Sequence, residues 1–302
     1  MKVFVTGAAG YIGGSVAAGL IEAGHQVAGL VRSEERARQV REHGIEPVIG
    51  TLSDLALLAS SARAADAVIN AASSDERAAV EAMLAALRGS GKAFLHTSGS
   101  SIVGDKAGGE AGGKVYDEQT PIEPLPGRVE RVAIDRMVLA SAGTGVRAVV
   151  LCPTMIYGNG RGVHRESIQV PRLIEVARKS GVARHVGRGE NVWSNVHIED
   201  VVSLYLLALE KAPAGAFYFA ENGENSYREI AQAISRMLGF GGSTKPMPMS
   251  EAIVEFGEGA AQFSMGSNSR VRALRARREL GWKPAGRSLL DEIERGCYAA
   301  HA

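Results

Sequence analysis

Short apolar runs recur along the first half of the chain. They are Val3–Val5, Gln26–Val31, Glu46–Gly50, Asp66–Ala72, Lys92–Ser98 and Arg147–Cys152. The segments between them carry helical patterning. Val16, Ala17, Leu20 and Ile21 repeat at helical spacing, Glu34–His43 is charged, Ser53-Asp54 opens a helix to about Arg63, Asp75–Leu87 is alanine-rich, and Arg128–Ala142 closes the series. Strands alternating with helices of about 10–15 residues predict an α/β fold with a doubly wound parallel sheet. After Pro153 the rhythm changes. Ser167–Lys179, Ile198–Lys211, Ser226–Leu238, Pro248–Phe256, Arg270–Leu280 and Leu289–Ala300 read as helices, His185–Gly189 and Asn191–His197 as short strands, and Phe217–Ala220 as a last core strand. The expected organisation is a core over 1–155 and a small, mostly helical lobe over 156–302, with interleaved returns to the core.

The link between the first strand and first helix is the informative one. Gly7, Gly10 and Gly13 are spaced G-x-x-G-x-x-G between Val3–Val5 and the Val16–Ile21 pattern. Strand, glycine turn and helix in that order make a dinucleotide-binding motif. Gly7 permits the tight turn, Gly10 lets the backbone approach a pyrophosphate, and Gly13 lets the helix pack close to the strand, whose free N–H groups then face the phosphates. A cofactor's ribose 2′-OH is read by an acid at the end of the second strand. Val31, Arg32 and Ser33 stand there instead, so Arg32 is placed to pair with a 2′-phosphate and Ser33 to add a hydroxyl. The expected cofactor is NADP (NADPH).

A long glycine-rich stretch, Gly99–Pro126, leaves the carboxyl end of the fifth strand, the edge where open α/β sheets bind ligands.

Composition narrows the function classes. With 34 basic and 33 acidic residues the net charge is +1, which favours neither nucleic acid nor an anionic membrane as partner. Cys152 and Cys297 are read as separate reduced thiols. The seven histidines show no metal-ligand spacing. No apolar run approaches the ~20 residues of a membrane helix. Met1 leads directly into the first strand, and a cytoplasmic protein acting on a small molecule is expected.

Segments spread over nearly the whole chain resemble one family. VTGAAGYIGG, DAVINAA, LHTSGSSIVG, YDEQTPIEP, CPTMIYGNG, NVHIEDV and RRELGWKP occur in the family's order. They resemble the extended or atypical short-chain dehydrogenase/reductases, the NAD(P)-dependent epimerase/dehydratase family. The resemblance implies a Rossmann core with a substrate lobe. It implies that Gly7, Gly10, Tyr11, Ile12 and Gly13 form the pyrophosphate turn and that Arg32 selects the cofactor. Thr51 and Leu52 would fall at the adenine pocket, although relatives often carry Asp at the first of these. Ala71 and Ala72 would give backbone contacts beside the nicotinamide ribose, with Pro153 and Ile156 along the nicotinamide. It also implies a homodimer through the helices around Arg77–Leu87 and Arg128–Ala142.

The catalytic pattern departs from the family. Its enzymes use a Ser or Thr after the fifth strand, then Tyr and Lys spaced Y-x-x-x-K, the Tyr as general acid/base. With Asp135 aligned to the acid four residues past the Lys, the Lys position becomes Arg131 and the Tyr position Gly127. The Ser position becomes Gly99, flanked by Ser98 and Ser100. Arg cannot readily give up a proton. The candidates for the missing chemistry are Ser98, Ser100, Ser101, Tyr116 and Tyr157, with Arg131 on the ribose or a phosphate. Arg161, His164, Arg165, Arg188, Trp193, Asn195 and His197 are candidates to face substrate. Two functions are expected from this: an NADP-dependent oxidoreductase or epimerase/dehydratase-like enzyme on a sugar-like or small carbonyl or hydroxyl substrate, or a catalytically inactive NADP-binding sensor.

Overall fold

The structure is a computed structural model and describes residues 1–299. Five βα repeats and a sixth strand build the core: β1 (Lys2–Thr6), α1 (Tyr11–Glu22), β2 (Gln26–Val31), α2 (Glu34–Glu42), β3 (Glu46–Ile49), α3 (Leu55–Ala64), β4 (Ala67–Asn70), α4 (Arg77–Leu87), β5 (Ala93–Thr97), α5 (Val129–Ala140) and β6 (Arg147–Pro153). Side chains alternate across the strands, so both faces of the sheet are buried. Val3, Val5, Ile69, Leu95 and Val149 pack under α1, α2 and a later helix over Ile198–Lys211. Phe4, Val68, Phe94, Ala148 and Val150 pack under α3, α4 and α5.

The sheet has seven parallel strands in the order β10-β6-β5-β4-β1-β2-β3. Its seventh strand, β10 (Ala216–Ala220), comes from the second half of the chain, preceded by α7 (Ile198–Lys211), which packs on α1. The order reverses between β1 and β4, so the crevice outside their carboxyl ends is the place for a ligand.

The second lobe has its own core. It contains β7 (Met155–Tyr157), α6 (Gln169–Ser180), β8 (Ala183–Val186), β9 (Val192–His197), β11 (Glu224–Ser226), α8 (Tyr227–Met237), β12 (Thr244–Met247), α9 (Met249–Phe256), the short α10 (Glu258–Ala260) with a π-helical turn over Ala261–Met265, α11 (Leu274–Leu280) and α12 (Leu289–Arg295). Of the expected helix over Arg270–Leu280 only the second part forms. The Ser194 hydroxyl accepts from Val271 N and donates to Val271 O, and the Ser269–Val271 stretch bridges Trp193 and Tyr116 instead. β7, β11 and β12 exist only because partner strands meet them: β7 lies on β9, β11 on β9 and β12 on β8. The expected helix from Leu289 stops at Arg295, where Gly296 follows and the Glu292 carboxylate accepts from Cys297 N. Its expected end, Ala300, lies outside the described residues. No helix among the described residues is long and apolar enough to cross a membrane.

Candidate active site

Two neighbouring cavities lie at the carboxyl edge of the sheet. The larger, about 720 Å³, sits over the reversal of strand order. Its floor is the turn after β1. Gly7 has φ +72°, and a Cβ on it would meet Ala71 O at 2.8 Å. A Cβ on Gly13 would collide with Gly7 O, so helix α1 can stand this close to β1 only without side chains. Gly10 is the N-cap of α1 and caps nothing, which leaves the N–H groups of Tyr11, Ile12 and Gly13 aimed at the cavity end of the helix dipole. The Thr6 hydroxyl donates to Asn70 Oδ1 at 2.6 Å and accepts from Ala71 N and Ala72 N, tying the β4 end to the turn. Arg32, Arg36, Thr51, Leu52 and Ser53 line the opposite wall. A glycine cradle that excludes Cβ atoms, an uncapped helix start and a cationic end fit a dinucleotide.

The smaller cavity, about 270 Å³, opens after β5, where the second lobe covers the sheet edge. Gly99, Ser101, Arg128, Arg131, Thr154, Trp193 and Phe263 shape it. Ser101 accepts from Arg128 Nε at 3.0 Å and from Arg131 Nη1 at 3.2 Å. Its oxygen is engaged twice as acceptor, no acceptor for its own O–H is found among the described residues, and the residue lines the cavity. Arg131 forks onto Asp75, Nε to Oδ1 at 2.8 Å and Nη2 to Oδ2 at 2.5 Å. Asp75 follows Ala71–Ser73 of the larger cavity, so this ion pair stands between the two. The Arg131 hydrogen bond holds the Asp75 carboxyl below its usual range. Burial pulls Arg131 down, and Asp75 more than offsets it.

Side chains from elsewhere lie against Gly99 and Gly127, the positions expected for the family's serine and tyrosine. A Cβ on Gly99 would lie 3.6 Å from Arg131 Nη1, an ordinary van der Waals contact, so the guanidinium lies beside the position expected for the family's serine. A Cβ on Gly127 would lie 3.1 Å from Phe263 Cζ, so the Phe263 ring covers the tyrosine's position.

Several sequence candidates go to other work. Ser98 is buried and donates to Asp135 Oδ2 at 2.6 Å, and Ser100 is buried against Ser269. Asp135 Oδ1 and His96 Nε2 face each other at 3.6 Å beneath Arg131, and neither has a hydrogen-bond partner. Burial raises the Asp135 carboxyl to about 6 and lowers His96 to about 4. Tyr116 is bridged to Val271 with its ring packed in the core and Lys114 over it at 4.5 Å. Tyr157 is fully buried and donates to Arg287 O at 2.7 Å. Neither tyrosine reaches the cavities, because strand pairing turns both into the packed interior.

Arg161 pairs with Glu22 and Glu199. Arg188 is exposed and pairs with Glu190. Asn195 is buried and donates to Asn225. Tyr11 donates its hydroxyl to Gly158 O at 2.8 Å, so its side chain is turned away from the larger cavity. Ser33 caps α2 through Arg36 N and does not line the cavity. Pro153 and Ile156 are buried at the lobe junction, with neighbouring Thr154 at the cavity surface. His164 lines the larger cavity, Arg165 donates to Gly160 O, and His197 caps α7. Trp193 does line the smaller cavity, its indole N–H donating to Ser267 O at 2.8 Å.

Residues that sequence reasoning missed are Thr6, Asn70, Asp75, Arg36, Arg128 and Phe263. Arg128 was visible as the i−3 neighbour of Arg131 on one helix face. Nothing local in the sequence pointed to Phe263.

A parallel doubly wound sheet with an uncapped glycine turn at its switch point defines a dinucleotide-binding fold of Rossmann type. The chain belongs to the NAD dependent epimerase/dehydratase family, which it matches over residues 3–218. It is an NAD(P)-dependent enzyme of oxidoreductase or epimerase type. An uncharacterized protein of Schizosaccharomyces pombe is 34% identical over 312 residues, covering 99% of this chain and 100% of that protein. The 2-alkyl-3-oxoalkanoate reductase of Stenotrophomonas maltophilia is 30% identical over 259 residues, covering 79% of this chain and 76% of that one. Among solved structures, the dTDP-glucose 4,6-dehydratase DesIV of Streptomyces venezuelae, determined with NAD bound, superposes with TM-score 0.78 at 20% identity, over 100% of this chain and 97% of that chain.

Proposed function

We propose that this chain is an NADP-dependent carbonyl reductase in which Ser101 replaces the family's tyrosine as proton donor. The observation that carries the reading is the Ser101 hydroxyl in the cavity lining, held by two guanidinium donors and with no acceptor for its own proton among the described residues. A bound nicotinamide dinucleotide supplies the hydride. Gly7, Gly10, the N–H groups of Tyr11–Gly13, Thr51, Leu52, Ala71 and Ala72 would hold it. Arg32 and Arg36 would receive the 2′-phosphate, since both are cationic and line the cavity, and Arg32 and Ser33 rather than an acid stand directly after Val31 at the end of β2, the acids Glu34 and Glu35 belonging to the first turn of α2.

Ser101 donates its proton to the substrate carbonyl oxygen as the carbonyl carbon takes the hydride, giving an alcohol. Two fixed positive charges stabilise the alkoxide left on Ser101, and they do so without reorganising. Water at the cavity mouth returns the proton. Arg131, fixed by Asp75, orients the hydroxyl and gives up no proton itself. The oxoalkanoate reductase among the relatives supports carbonyl chemistry on this scaffold.

The test is calorimetry with NADPH and NADH on wild type and Arg32→Ala, followed by turnover of a carbonyl panel with wild type and Ser101→Ala. NADPH preference lost in Arg32→Ala, and reduction lost in Ser101→Ala, are expected. Equal binding of both nucleotides sinks the NADP assignment. NADPH binding with no turnover of any carbonyl returns the inactive sensor.

A further inference from the structure

Arg128 is electrically unfinished. It is half-buried at the amino end of α5, where the helix dipole opposes a positive charge. Its Nε bonds Ser101 and its Nη1 bonds the Gly127 carbonyl, and no carboxylate among the described residues pairs with it. The one nearby acid, Asp75, spends both oxygens on Arg131. Burial lowers the Arg128 guanidinium from its usual range, and repulsion from Arg131 adds to it. Lys106 contributes further positive charge, its Nζ 5.1 Å from the ring of Phe263, while the Arg128 guanidinium lies 4.5 Å from the same ring. Two guanidiniums against one carboxylate, partly withdrawn from water, form a site that an anion completes.

We infer that this pocket binds a carboxylate on Arg128, and that the substrate is a 2-oxo or 3-oxo acid. The spacing follows from contact: Arg128 Nε and Ser101 Oγ are 3.0 Å apart, so the groups they hold must be near neighbours on one carbon chain. Phe263 and Trp193 supply an apolar wall for the rest of that chain. The carbonyl half of the inference rests on the reductase reading; the carboxylate half stands on Arg128 alone.

The experiment separates the two. With the protein saturated with NADPH, calorimetry compares hexanoate with hexanamide on wild type, Arg128→Gln and Arg128→Lys. NADPH affinity is measured on each variant as the check on folding. Hexanoate is expected to bind wild type about 10–100-fold more tightly than hexanamide, the range of a charge-assisted hydrogen bond. Arg128→Gln should abolish the difference and Arg128→Lys restore part of it. Equal binding of acid and amide, or an Arg128→Gln variant that binds NADPH and hexanoate as wild type does, overturns the carboxylate site. In parallel, 3-oxohexanoate and its methyl ester are offered as substrates. Ester reduced as fast as acid overturns the carboxylate site and leaves the reductase standing. Hexanoate bound through Arg128 with neither compound reduced leaves the carboxylate site and removes the reductase.

Discussion

The two cavities sit side by side and are built on different principles. The dinucleotide cavity has a main-chain floor, made of a glycine turn, the start of α1 and the Ala71–Ala72 stretch at the ends of adjacent strands, facing a wall that carries Arg32, Arg36, Thr51 and Leu52. The smaller cavity is made of side chains that arrive from Ser101, Arg128, Arg131, Trp193 and Phe263, more than a hundred and sixty residues apart at the extremes. The floor of the first tolerates almost no added atoms, because its contacts are backbone on backbone. In the second, Arg131 lies beside Gly99, Phe263 packs against Gly127, and the Ser101 hydroxyl stands two positions along from Gly99.

That contrast gives its sharpest test within one loop. Ser101→Ala is expected to lower kcat by about 10²–10⁴ with the NADPH Kd unchanged, the range for loss of a positioned proton donor. Ser98→Ala should leave kcat nearly alone and instead cost about 1–3 kcal/mol of stability, since it strips the buried Asp135 of a hydrogen bond. A Ser98→Ala enzyme that folds normally and is inactive would reverse the assignment.

In the main-chain cavity, Gly7→Ala is expected to cost about 1–3 kcal/mol from its left-handed φ alone, with the clash on Ala71 O in addition. Thermal unfolding reads the first part, and calorimetry should show dinucleotide affinity lost with it. Arg32→Ala should weaken NADPH by about 10–100-fold and leave NADH unchanged, because only the 2′-phosphate contact is removed.

Tyr157→Phe tests a smaller effect. It should cost about 1 kcal/mol in denaturant unfolding, through the lost bond to Arg287 O, with turnover intact. A collapse of kcat there would restore Tyr157 to the chemistry.

The smallest signal is a slope. Burial, then the Arg131 charge, lowers His96 from 6.5 to about 4, so its neutral form supports the fold above 6.5 and that support is lost as pH falls toward 4. Asp135 runs the other way: burial raises it from 3.8 to about 6, so its contribution is full below 3.8 and lost as pH rises through 6. Between pH 4 and 6 the two oppose. His96→Gln should therefore gain stability as pH falls from 6 to 4, while wild type stays flatter; urea midpoints at three pH values in that window decide it.

Much of the molecule was legible in sequence where neighbours in the chain are neighbours in space. β2 and α7 begin and end where the apolar patterning placed them, and Gly7–Gly13 form a turn and a helix start because a strand and a helix flank them. Tyr116 and Tyr157 misled for a physical reason. Each looks like a free acid in a polar loop, yet a parallel bridge to Val271 and a pairing of Met155–Tyr157 with β9 turn their side chains inward. The helix expected from Arg270 failed likewise, held extended by Ser194 from another strand.

The sequence by itself determined the βα order, the sheet and the dinucleotide turn, since periodicity, glycine spacing and capping act over a few residues. Tertiary structure decided which serine lines the cavity. Ser98, Ser100 and Ser101 are chemically identical and nearly adjacent. Only the arrival of Asp135, Ser269 and the Arg128–Arg131 pair, each from a distant segment, buries two of them and presents the third to the cavity.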